Sequence, residues 1–475
     1  MKTANVAASM FLCAATAFGA ERQVVSPRAA HFGPTVVSGA ERDAHDWPKY
    51  CADAAMTGVA AGERFLSPAS APSLALAWSD TLGGTIASSP IVVGGMLYIG
   101  DWSGKESAID AGTGALLASA DLGMTSVPVG HCNPPNLGVT SAPAVTGGAL
   151  YLAGGDDSFY CLDAKTLETR WKTRLGDNSK DGGYYGWCSP AVLDGVVYQG
   201  ISSNCDNPFI PGAVDALDPA TGNVTASADL CQSASPAHYG AGVWTSPAID
   251  TERRKMFVTT ASAYHYDDGL AYSIVRISLD GLAVEDSWKL SPQDFALAPD
   301  ADWGSSPTLF TDVSGRRLVG AGQKNGYYYA FSRAALSDGP VWQTRIAYPG
   351  ECPQCGDGSL STAAFDGARL YVGAGKTPDY SKMGSVNALD PATGTILWSQ
   401  ALPGPVIAPV SFANGVVIAA GGKRCVALDA ETGDLLWKFD APALLYGGIA
   451  ISNGRIFFGD LAGNLYAFRV PTPGD

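Results

Sequence analysis

The chain has 475 residues, of which 46% are hydrophobic and only 16% are charged, and it contains 57 glycines and 30 prolines. This composition is typical of a folded, turn-rich β protein and excludes a disordered chain. The formal net charge of −15 argues against nucleic acid and anionic membrane surfaces as partners, because both require a basic binding surface. The charge fits ordinary solubility and also a basic protein partner.

The N-terminus predicts export. Lys2 precedes an apolar run from Val6 to Phe18 that ends in small residues, which is typical of a secretory signal over residues 1–20. We therefore expect a secreted or extracytoplasmic protein. The alternative is a plastid, because Ala15–Phe18 and the acid-poor stretch after it also resemble a bipartite presequence. The run is too short to cross a bilayer, and no later run reaches about 18 apolar residues, so no membrane span is predicted.

Residues 21–70 are predicted to form an N-terminal arm. The segment from Ser73 to Trp78 that follows has the alternating pattern of a strand but no partner strands nearby in the sequence. A stray strand ahead of a series of repeats is expected to complete the last repeat of that series.

A repeated unit governs the rest of the chain: Ala-Leu-Asp, two residues, Thr-Gly, three residues and Trp. The Asp and Thr side chains can bond the amides of the turn, Gly supplies the positive φ that a tight hairpin needs, and Trp fills the space between neighbouring units. Complete copies run from Ala388 to Trp398 and from Ala427 to Trp437. Three weaker copies begin at Ala108, Cys161 and Ala216. Two degenerate copies end at Trp288 and Trp342, and the last copy is the pair Ala467-Phe468.

A second marker, a small residue often followed by Pro and then by two short strands, precedes each unit. The eight markers begin at Ser89, Ala142, Ser189, Ser246, Ser306, Thr362, Ala408 and Gly448. Eight repeats of this length predict an all-β protein, an eight-bladed β-propeller of four-stranded blades over residues 71–475. The strand at Ser73–Trp78 is expected to close the ring as the missing outer strand of the eighth blade.

Ten cysteines are present, and Cys13 belongs to the predicted signal. The nine that remain predict up to four disulfides and one free thiol in an exported protein. Cys352 and Cys355 have the spacing of half a zinc site or a redox pair, but no second pair has metal spacing, so a structural disulfide, or two bridges to cysteines elsewhere in the chain, is favoured. The five histidines show no metal-ligand spacing.

Several motifs resemble the repeat propellers of pyrroloquinoline quinone (PQQ) dehydrogenases, and within them the polyvinyl-alcohol-dehydrogenase-like branch. The resemblance covers residues 45–470. It rests on Asp46-Trp47-Pro48, on Trp244-Thr245-Ser246-Pro247-Ala248-Ile249-Asp250, on Asp300-Ala301-Asp302-Trp303-Gly304-Ser305-Ser306-Pro307 and on Gly322-Gln323-Lys324-Asn325-Gly326.

The resemblance implies a PQQ site in a central funnel. By position, Trp244 would lie under the PQQ rings and Lys324 would point at the reactive carbonyl. Asp294 would act as the general base on an alcohol, while Lys324 would stabilise the developing oxyanion. The haem c attachment motif is absent, which implies a separate electron-acceptor protein.

The metal site of the family is incompletely matched. Relatives hold Ca²⁺ with a Glu, an Asn and the catalytic Asp, and hard cations need such oxygen ligands. Here the Glu position falls at Ser202–Asp206, where Asn204 or Asp206 could substitute, and the Asn position falls at Ser262. The expected calcium ligands are therefore Asn204, Asp206, Ser262 and Asp294.

Two functions follow from these observations. The first is a PQQ-dependent oxidoreductase acting on a small or polymeric alcohol or polyol. The alternative is a non-catalytic propeller that serves as a protein- or glycan-binding scaffold, because a fold alone does not determine function. Trp244, Asp294 and Lys324 favour the enzyme, and the missing Glu and Asn favour the scaffold.

Overall fold

The computed structural model describes residues 45–126, 136–179, 181–298 and 300–471, and its main feature is a set of eight four-stranded antiparallel sheets. Each sheet is formed by consecutive strands, except the eighth, which takes its outer strand from the beginning of the described chain. The prediction of an all-β, eight-bladed propeller is confirmed.

The strands of the first four blades are, in order from the innermost strand outward: blade 1, Ile91–Val93, Met96–Gly100, Lys105–Asp110 and Leu116–Asp121; blade 2, Ala144–Thr146, Ala149–Ala153, Ser158–Asp163 and Thr169–Arg174; blade 3, Ala191–Leu193, Val196–Ile201, Ala213–Leu217 and Val224–Asp229; blade 4, Ala248–Asp250, Lys255–Thr259, Ser273–Ser278 and Val284–Lys289.

The strands of the other four blades are: blade 5, Thr308–Thr311, Arg317–Gly322, Tyr327–Ser332 and Ala335–Arg345; blade 6, Ala364–Phe365, Leu370–Ala374, Gly384–Leu389 and Ile396–Leu402; blade 7, Ser411–Ala413, Val416–Gly421, Arg424–Asp429 and Leu435–Asp440; blade 8, Ala450–Ser452, Arg455–Gly459, Asn464–Arg469 and the closing strand Ala75–Thr81. The remaining elements are a two-stranded ribbon, Thr125–Ser126 with Asn136–Leu137, the 3₁₀ turns Ala71–Ser73, Pro236–His238 and Pro353–Cys355, and the short helix Pro292–Phe295.

Burial differs systematically between the strands of a blade. In blade 7 the second strand, Val416–Gly421, is buried along its whole length, whereas the outer strand Leu435–Asp440 has no fully buried residue. A strand buried on both faces needs a continuous apolar run, and a half-exposed strand needs alternation. The core therefore lies between adjacent blades.

Tryptophans on the outer strands join five of the eight pairs of neighbouring blades by an indole-to-carbonyl hydrogen bond. The indole of Trp398 in blade 6 donates to the backbone oxygen of Ala430 in blade 7 over 3.1 Å, and its ring lies against Gly433. A Cβ added to Gly433 would meet that ring at 2.7 Å, so the Thr-Gly turn needs glycine both for its φ of +79° and for this contact. Equivalent indole-to-carbonyl bonds, at 2.8 to 3.1 Å, are made by Trp78 to Ala111, Trp171 to Pro219, Trp342 to Pro391 and Trp437 to Leu74.

The ring closes as predicted. Ala75–Thr81 pairs antiparallel with Asn464–Arg469, the third strand of blade 8. Trp78 on this closing strand then packs against Gly114 of blade 1, so the closing strand makes the same contact that joins the other blades. Closure removes the open edge that blade 8 would otherwise expose.

The serines of the Ser-Pro markers join the blades near the axis. The hydroxyl of Ser246 accepts the amide of Ser189 at 3.0 Å, and the hydroxyl of Ser306 accepts the amide of Ser246 at 2.9 Å. Ser89 of blade 1 accepts the amide of Gly448 of blade 8 at 2.7 Å, which carries the pattern across the closure. A small hydroxyl side chain is needed here because it satisfies a buried amide without widening the ring.

The N-terminal segment Asp46–Glu63 crosses the inner strands of the ring. Backbone hydrogen bonds join Trp47 to Val92 of blade 1, Ala54 to Ile249 of blade 4 and Gly58 to Phe412 of blade 7, and further bonds reach blades 2, 5 and 6. Gly454 of blade 8 donates to the Glu63 carboxylate at 2.8 Å. The inner strands are sheet edges, and this segment pairs part of their free amides.

Disulfides are fewer than predicted in the described part of the chain. Cys352 and Cys355 form a disulfide with each other, and Cys205 is also disulfide-bonded. Five cysteines are buried free thiols, namely Cys51, Cys161, Cys188, Cys231 and Cys425. The prediction of a single leftover thiol is therefore wrong. Three of the five, Cys161, Cys188 and Cys425, lie on or just before blade strands, where free cysteine packs as a small hydrophobic side chain.

Among the described residues, no helix is long and apolar enough to cross a membrane.

Two glycine variants test the inter-blade contact. Gly433 and Gly95 have nearly the same φ, +79° and +78°, but only Gly433 faces an indole, since nothing lies within 4 Å of a Cβ on Gly95. We expect Gly95→Ala to lower the free energy of unfolding by about 1 kcal/mol through its φ alone. Gly433→Ala should cost about 1 to 3 kcal/mol more because Trp398 must move. Urea denaturation measures both, and equal losses would contradict the proposed role of the contact.

Candidate active site

A cavity of about 720 Å³ lies at the centre of the ring. The loops that enter the inner strands and those that join the second and third strands of the blades form its wall, and all eight blades contribute. Tyr50 of the N-terminal segment also lines it, and its hydroxyl is 3.2 Å from the Thr362 hydroxyl oxygen. The size falls within the range of cavities that hold a cofactor or small substrate.

Lys324 lies on the tight turn between the second and third strands of blade 5. Gln323 turns its side-chain amide onto the backbone oxygen of Ala301, and Gly326 closes the turn with a φ of +87°. A Cβ added to Gly358 would be 2.6 Å from the Lys324 Cα, so the following loop packs directly on this turn. These contacts hold the lysine against the segment that carries Asp300 and Asp302.

Two carboxylates pair with Lys324. Its Nζ lies 2.6 Å from Oδ2 of Asp300 and forms a second ion pair with Oδ1 of Asp302. Burial alone would lower the pKa of Lys324, but the carboxylates of Asp302 and Asp300 outweigh it, so the pKa lies above its ordinary value. The ammonium group is therefore a permanent charge at the cavity wall.

The carboxylates of the wall are crowded. Burial, followed by repulsion from Asp300, raises the pKa of Asp302 well above its usual range. Burial also raises the pKa of Asp206 to about 6, and the Asp300 carboxylate adds to that rise. Lys324 is the one lysine or arginine among the described residues that line the cavity, so the three acids outnumber the positive charges there.

Trp244 forms an aromatic part of the same wall. Nζ of Lys324 lies 5.9 Å from the centre of its ring, within the range of a cation–π contact. A Cβ on Gly304 would meet Leu360 at 1.8 Å and the Trp244 ring at 2.9 Å. Only glycine at this position lets the indole approach the blade 5 segment.

The structure brings together part of the predicted site. Trp244, Lys324 and Asp206 all line the cavity. Ser262 donates to Oδ1 of Asp300 at 3.4 Å and lies next to the cavity-lining Ala261. Asn204 is buried between cavity-lining neighbours, and its backbone N–H donates to the backbone oxygen of Gly183 at 2.7 Å.

Asp294 has a different position. It lies in the short helix Pro292–Phe295, where its backbone amide donates to the Ser291 hydroxyl at 3.1 Å and its carboxylate accepts the Ser291 hydroxyl at 2.7 Å. These are the bonds of a helix N-terminus. The described residues that line the cavity include Asp300 and Asp302 but not Asp294.

Asp300 and Asp302 were missed as site residues by the sequence analysis. The Asp-Ala-Asp-Trp-Gly motif of residues 300–304 carries the family resemblance in the sequence, but the resemblance assigns neither of its acids a role in the site. Its spacing was the available signal, because alternate residues of an extended segment point to the same side, and here both carboxylates reach Lys324.

The wall of the cavity includes a loop that carries a disulfide. Glu351, Pro353 and Gln354 line the cavity, and Cys352 and Cys355 on either side of this stretch are bonded to each other. Nζ of Lys376 pairs with Asp357 at 3.2 Å just beyond it. The loop adds a further carboxylate, Glu351, to a cavity that Asp206, Asp300 and Asp302 also line.

The donor set has the chemistry that a hard cation needs, although among the described residues the ligand atoms of these acids do not all lie within 4.8 Å of one another. Asp206, Asp300 and Asp302 offer carboxylate oxygens, and the Ser203 hydroxyl bonds to Asp206 beside them. Such oxygens are the ligands of Ca²⁺ and similar ions. Burial is the main cause of the raised pKa values of Asp206 and Asp302, and a bound cation would favour the ionised form of both acids.

An eight-bladed ring with an axial cavity that holds a Trp–Lys–Asp constellation defines a PQQ-type repeat propeller. The PQQ_2 family model, described as outer membrane protein assembly factor BamB, matches residues 70–266 and 324–472. The match covers more than half of the chain, which therefore belongs to this family.

A curated relative is the polyvinylalcohol dehydrogenase of Sphingopyxis sp. (strain 113P3). It is 26% identical over 383 residues, which is 70% of this chain and 56% of the relative. The chain thus spans about half the length of the curated relatives it matches.

Solved structures share the fold. A europium-containing methanol dehydrogenase superposes with a TM-score of 0.73 at 16% identity, covering 90% of this chain and 98% of its own. The quinohemoprotein alcohol dehydrogenase of Comamonas testosteroni gives a TM-score of 0.70 at 18% identity, covering 90% of this chain and 82% of its own. At these identities the likeness shows the propeller alone.

The raised pKa of Asp206 predicts a pH dependence of stability. The folded protein binds this proton more tightly than an unfolded chain, in which the ordinary value is 3.8, so the stability contributed by protonated Asp206 is lost as the pH rises through about 6. In metal-free protein, Asp206→Asn should remove this loss. We therefore compare the free energies of unfolding of Asp206→Asn and wild type. The difference, variant minus wild type, should rise by about 1 to 3 kcal/mol when the pH is raised from about 4 to about 7.

Urea denaturation with EDTA at a series of pH values measures the difference. Asp338→Asn, at an exposed position in the outer strand of blade 5, controls for the loss of one negative charge. Parallel pH profiles for Asp206→Asn and wild type would contradict the assigned pKa shift.

Proposed function

We propose that this chain is a PQQ-dependent oxidoreductase that oxidises an alcohol or polyol in the axial cavity. The observation that carries the proposal is the joint position of Trp244, Lys324 and Asp300 on one cavity wall. An aromatic face, a fixed cation and a carboxylate within one pocket are the groups that a quinone and an alcohol need.

Binding and orientation are the tasks of Trp244 and Lys324. The indole offers a flat apolar face for a planar ring system and excludes water from that side. The Lys324 ammonium, held by two carboxylates, is oriented before any ligand arrives, so little reorganisation is needed when negative charge develops on a nearby oxygen. PQQ, when bound, supplies the quinone that accepts a hydride from the alcohol carbon.

Asp300 is the best-placed general base. Its side chain is 38% exposed, against 7% for Asp302, so it can reach a hydroxyl in the cavity. Its Oδ2 contacts Lys324 while Oδ1 accepts Ser262, which fixes the carboxylate plane. Asp300 would accept the hydroxyl proton as the hydride leaves. Asp294, the base implied by the sequence resemblance, remains the alternative.

A metal ion is part of this proposal. Asp206, Asp300 and Asp302 would hold it, and three carboxylates suit Ca²⁺ or a trivalent ion. One structural relative contains europium. A cation there would also lower the pKa values of Asp206 and Asp302. The electron acceptor is proposed to be a separate protein, which the net charge of −15 suits if that partner is basic.

Export is proposed as well, on the strength of the signal-like residues 1–20 and the Cys352–Cys355 disulfide, which suits an oxidising compartment. Mass spectrometry of the mature protein in its host should show an N-terminus near residue 21. A mature chain that starts at Met1 would contradict export.

Titration with PQQ tests the function, with protein that has been freed of metal and then supplied with either Ca²⁺ or Eu³⁺. We expect saturable quenching of tryptophan fluorescence and PQQ-dependent reduction of a dye when alcohols, including polyvinyl alcohol, are added. Lys324→Met should weaken PQQ binding about tenfold or more because a charge-assisted contact is lost. Asp300→Asn should retain binding and lower kcat by about 100-fold or more.

Two controls define the outcome. Lys438→Met removes an exposed lysine in blade 7 and should change neither binding nor rate. Trp244→Phe keeps an aromatic face, so it should bind PQQ more tightly than Trp244→Ala. No quenching at saturating PQQ with either metal would refute the enzyme and leave the protein- or glycan-binding scaffold, the function implied by the family description.

A further inference from the structure

Two histidines and an aspartate gather at the blade 3–blade 4 junction, away from Lys324. His238 ends the 3₁₀ turn Pro236–His238 after the outer strand of blade 3, while His265 and Asp268 lie on the loop between the second and third strands of blade 4. One ligand atom from each residue lies within 4.8 Å of the other two. The described part of the chain contains only one further histidine, His45, so two of its three histidines meet here.

The backbone holds the two loops in register. Gly240 and Ala263 form an antiparallel bridge, and the amide of Tyr264 donates to the oxygen of Tyr239 at 3.4 Å. The amide of His238 donates to Ser235 at 2.9 Å, and that of Asp268 to His265 at 3.1 Å. The three side chains are therefore presented by fixed turns, which lowers the entropy cost of gathering them around an ion.

Asp268 already orients one histidine. Its Oδ1 lies 2.8 Å from Nδ1 of His238, and its Oδ2 accepts the backbone amide of His265 at 3.0 Å. Burial alone would raise the pKa of Asp268, but these hydrogen bonds lower the pKa by more than burial raises it. The net pKa lies below its ordinary value, so the carboxylate is ionised at neutral pH.

His265 has no such role within the fold. Its ring is exposed and faces that of His238, with the ring centroids 5.4 Å apart. Within the described residues its ring nitrogens make no hydrogen bond. A structural ion pair accounts for His238 with Asp268 but leaves the position of the second imidazole unexplained.

We propose that His238, His265 and Asp268 form a transition-metal site that binds Zn²⁺. Imidazole and carboxylate ligands suit Zn²⁺ and exclude selectivity for Mg²⁺ or Ca²⁺, which prefer all-oxygen sites. Three protein ligands leave the fourth tetrahedral position to water. Ligand atoms of a tetrahedral Zn²⁺ lie about 3.3 Å apart, so rotation of exposed side chains is enough to close the site.

The site borders the candidate active site without sharing its ligands. Ala261 lines the axial cavity and Ser262 bonds to Asp300, while the neighbouring Ala263 and Tyr264 pair with the His238 loop. Zn²⁺ binding requires no PQQ, so the proposed function and the metal site succeed or fail separately.

Calorimetric titration of EDTA-treated protein with ZnCl₂, in excess Mg²⁺, tests the site. We expect one Zn²⁺ per chain. His238→Ala, His265→Gln and Asp268→Asn should each weaken Zn²⁺ binding about tenfold or more. Even the loss of a residue that only hydrogen-bonds to a metal ligand lowers metal affinity by about that factor, and these three residues are the ligands themselves. Asp267→Asn alters the adjacent acid and should leave the affinity unchanged. Circular dichroism confirms that each variant is folded.

Several results would overturn the proposal. They are no Zn²⁺ uptake in excess Mg²⁺, equal affinity in wild type and the three ligand variants, or loss of binding in Asp206→Asn rather than in the histidine variants. The last result would place the ion in the axial cavity. Retained Zn²⁺ binding in Lys324→Met, which is impaired only toward PQQ, would support a separate site.

Discussion

The contact between an indole of one blade and a glycine turn of the next determines this structure. The Trp398 ring lies where the Cβ of any other residue at 433 would be, and its N–H bonds the adjacent carbonyl of Ala430. The indole-to-carbonyl bond is present at five of the eight blade junctions, so the contact recurs around the circle. Trp78 on the closing strand of blade 8 makes it with Gly114 of blade 1, which joins the last blade to the first.

The axial site is a consequence of that ring. Packing between the blades holds the loops around the axis in place, and these loops carry the polar side chains of the site. Lys324 and Asp300 lie on two loops of blade 5, the turn between its second and third strands and the segment that leads into its inner strand, and the fold of that blade brings them together. The N-terminal segment then places Tyr50 in the cavity wall, so the first residues described also shape the pocket.

Particular residues show how far sequence reasoning reached. Trp244 and Lys324 were identified because their motifs are local, and the structure places both in the cavity. The resemblance implies Asp294 as the base, whereas Asp300 is proposed from its position in the cavity wall, because the sequence does not show which loop acid lies beside Lys324. The His238–His265–Asp268 cluster was missed for a related reason. Its members are contributed by two loops whose approach depends on the Gly240–Ala263 bridge, and no ligand spacing in the sequence records that.

The sequence by itself determined the number of blades, the strand order within each and the need for a closing strand. These follow from short-range signals: alternation, a positive-φ glycine and a tryptophan at fixed spacing all act within one hairpin. Tertiary structure alone decided which thiols stay free, which carboxylates share Lys324 and where the two histidines meet. Those outcomes depend on distances between chain segments, and such distances are set by the packing of whole blades.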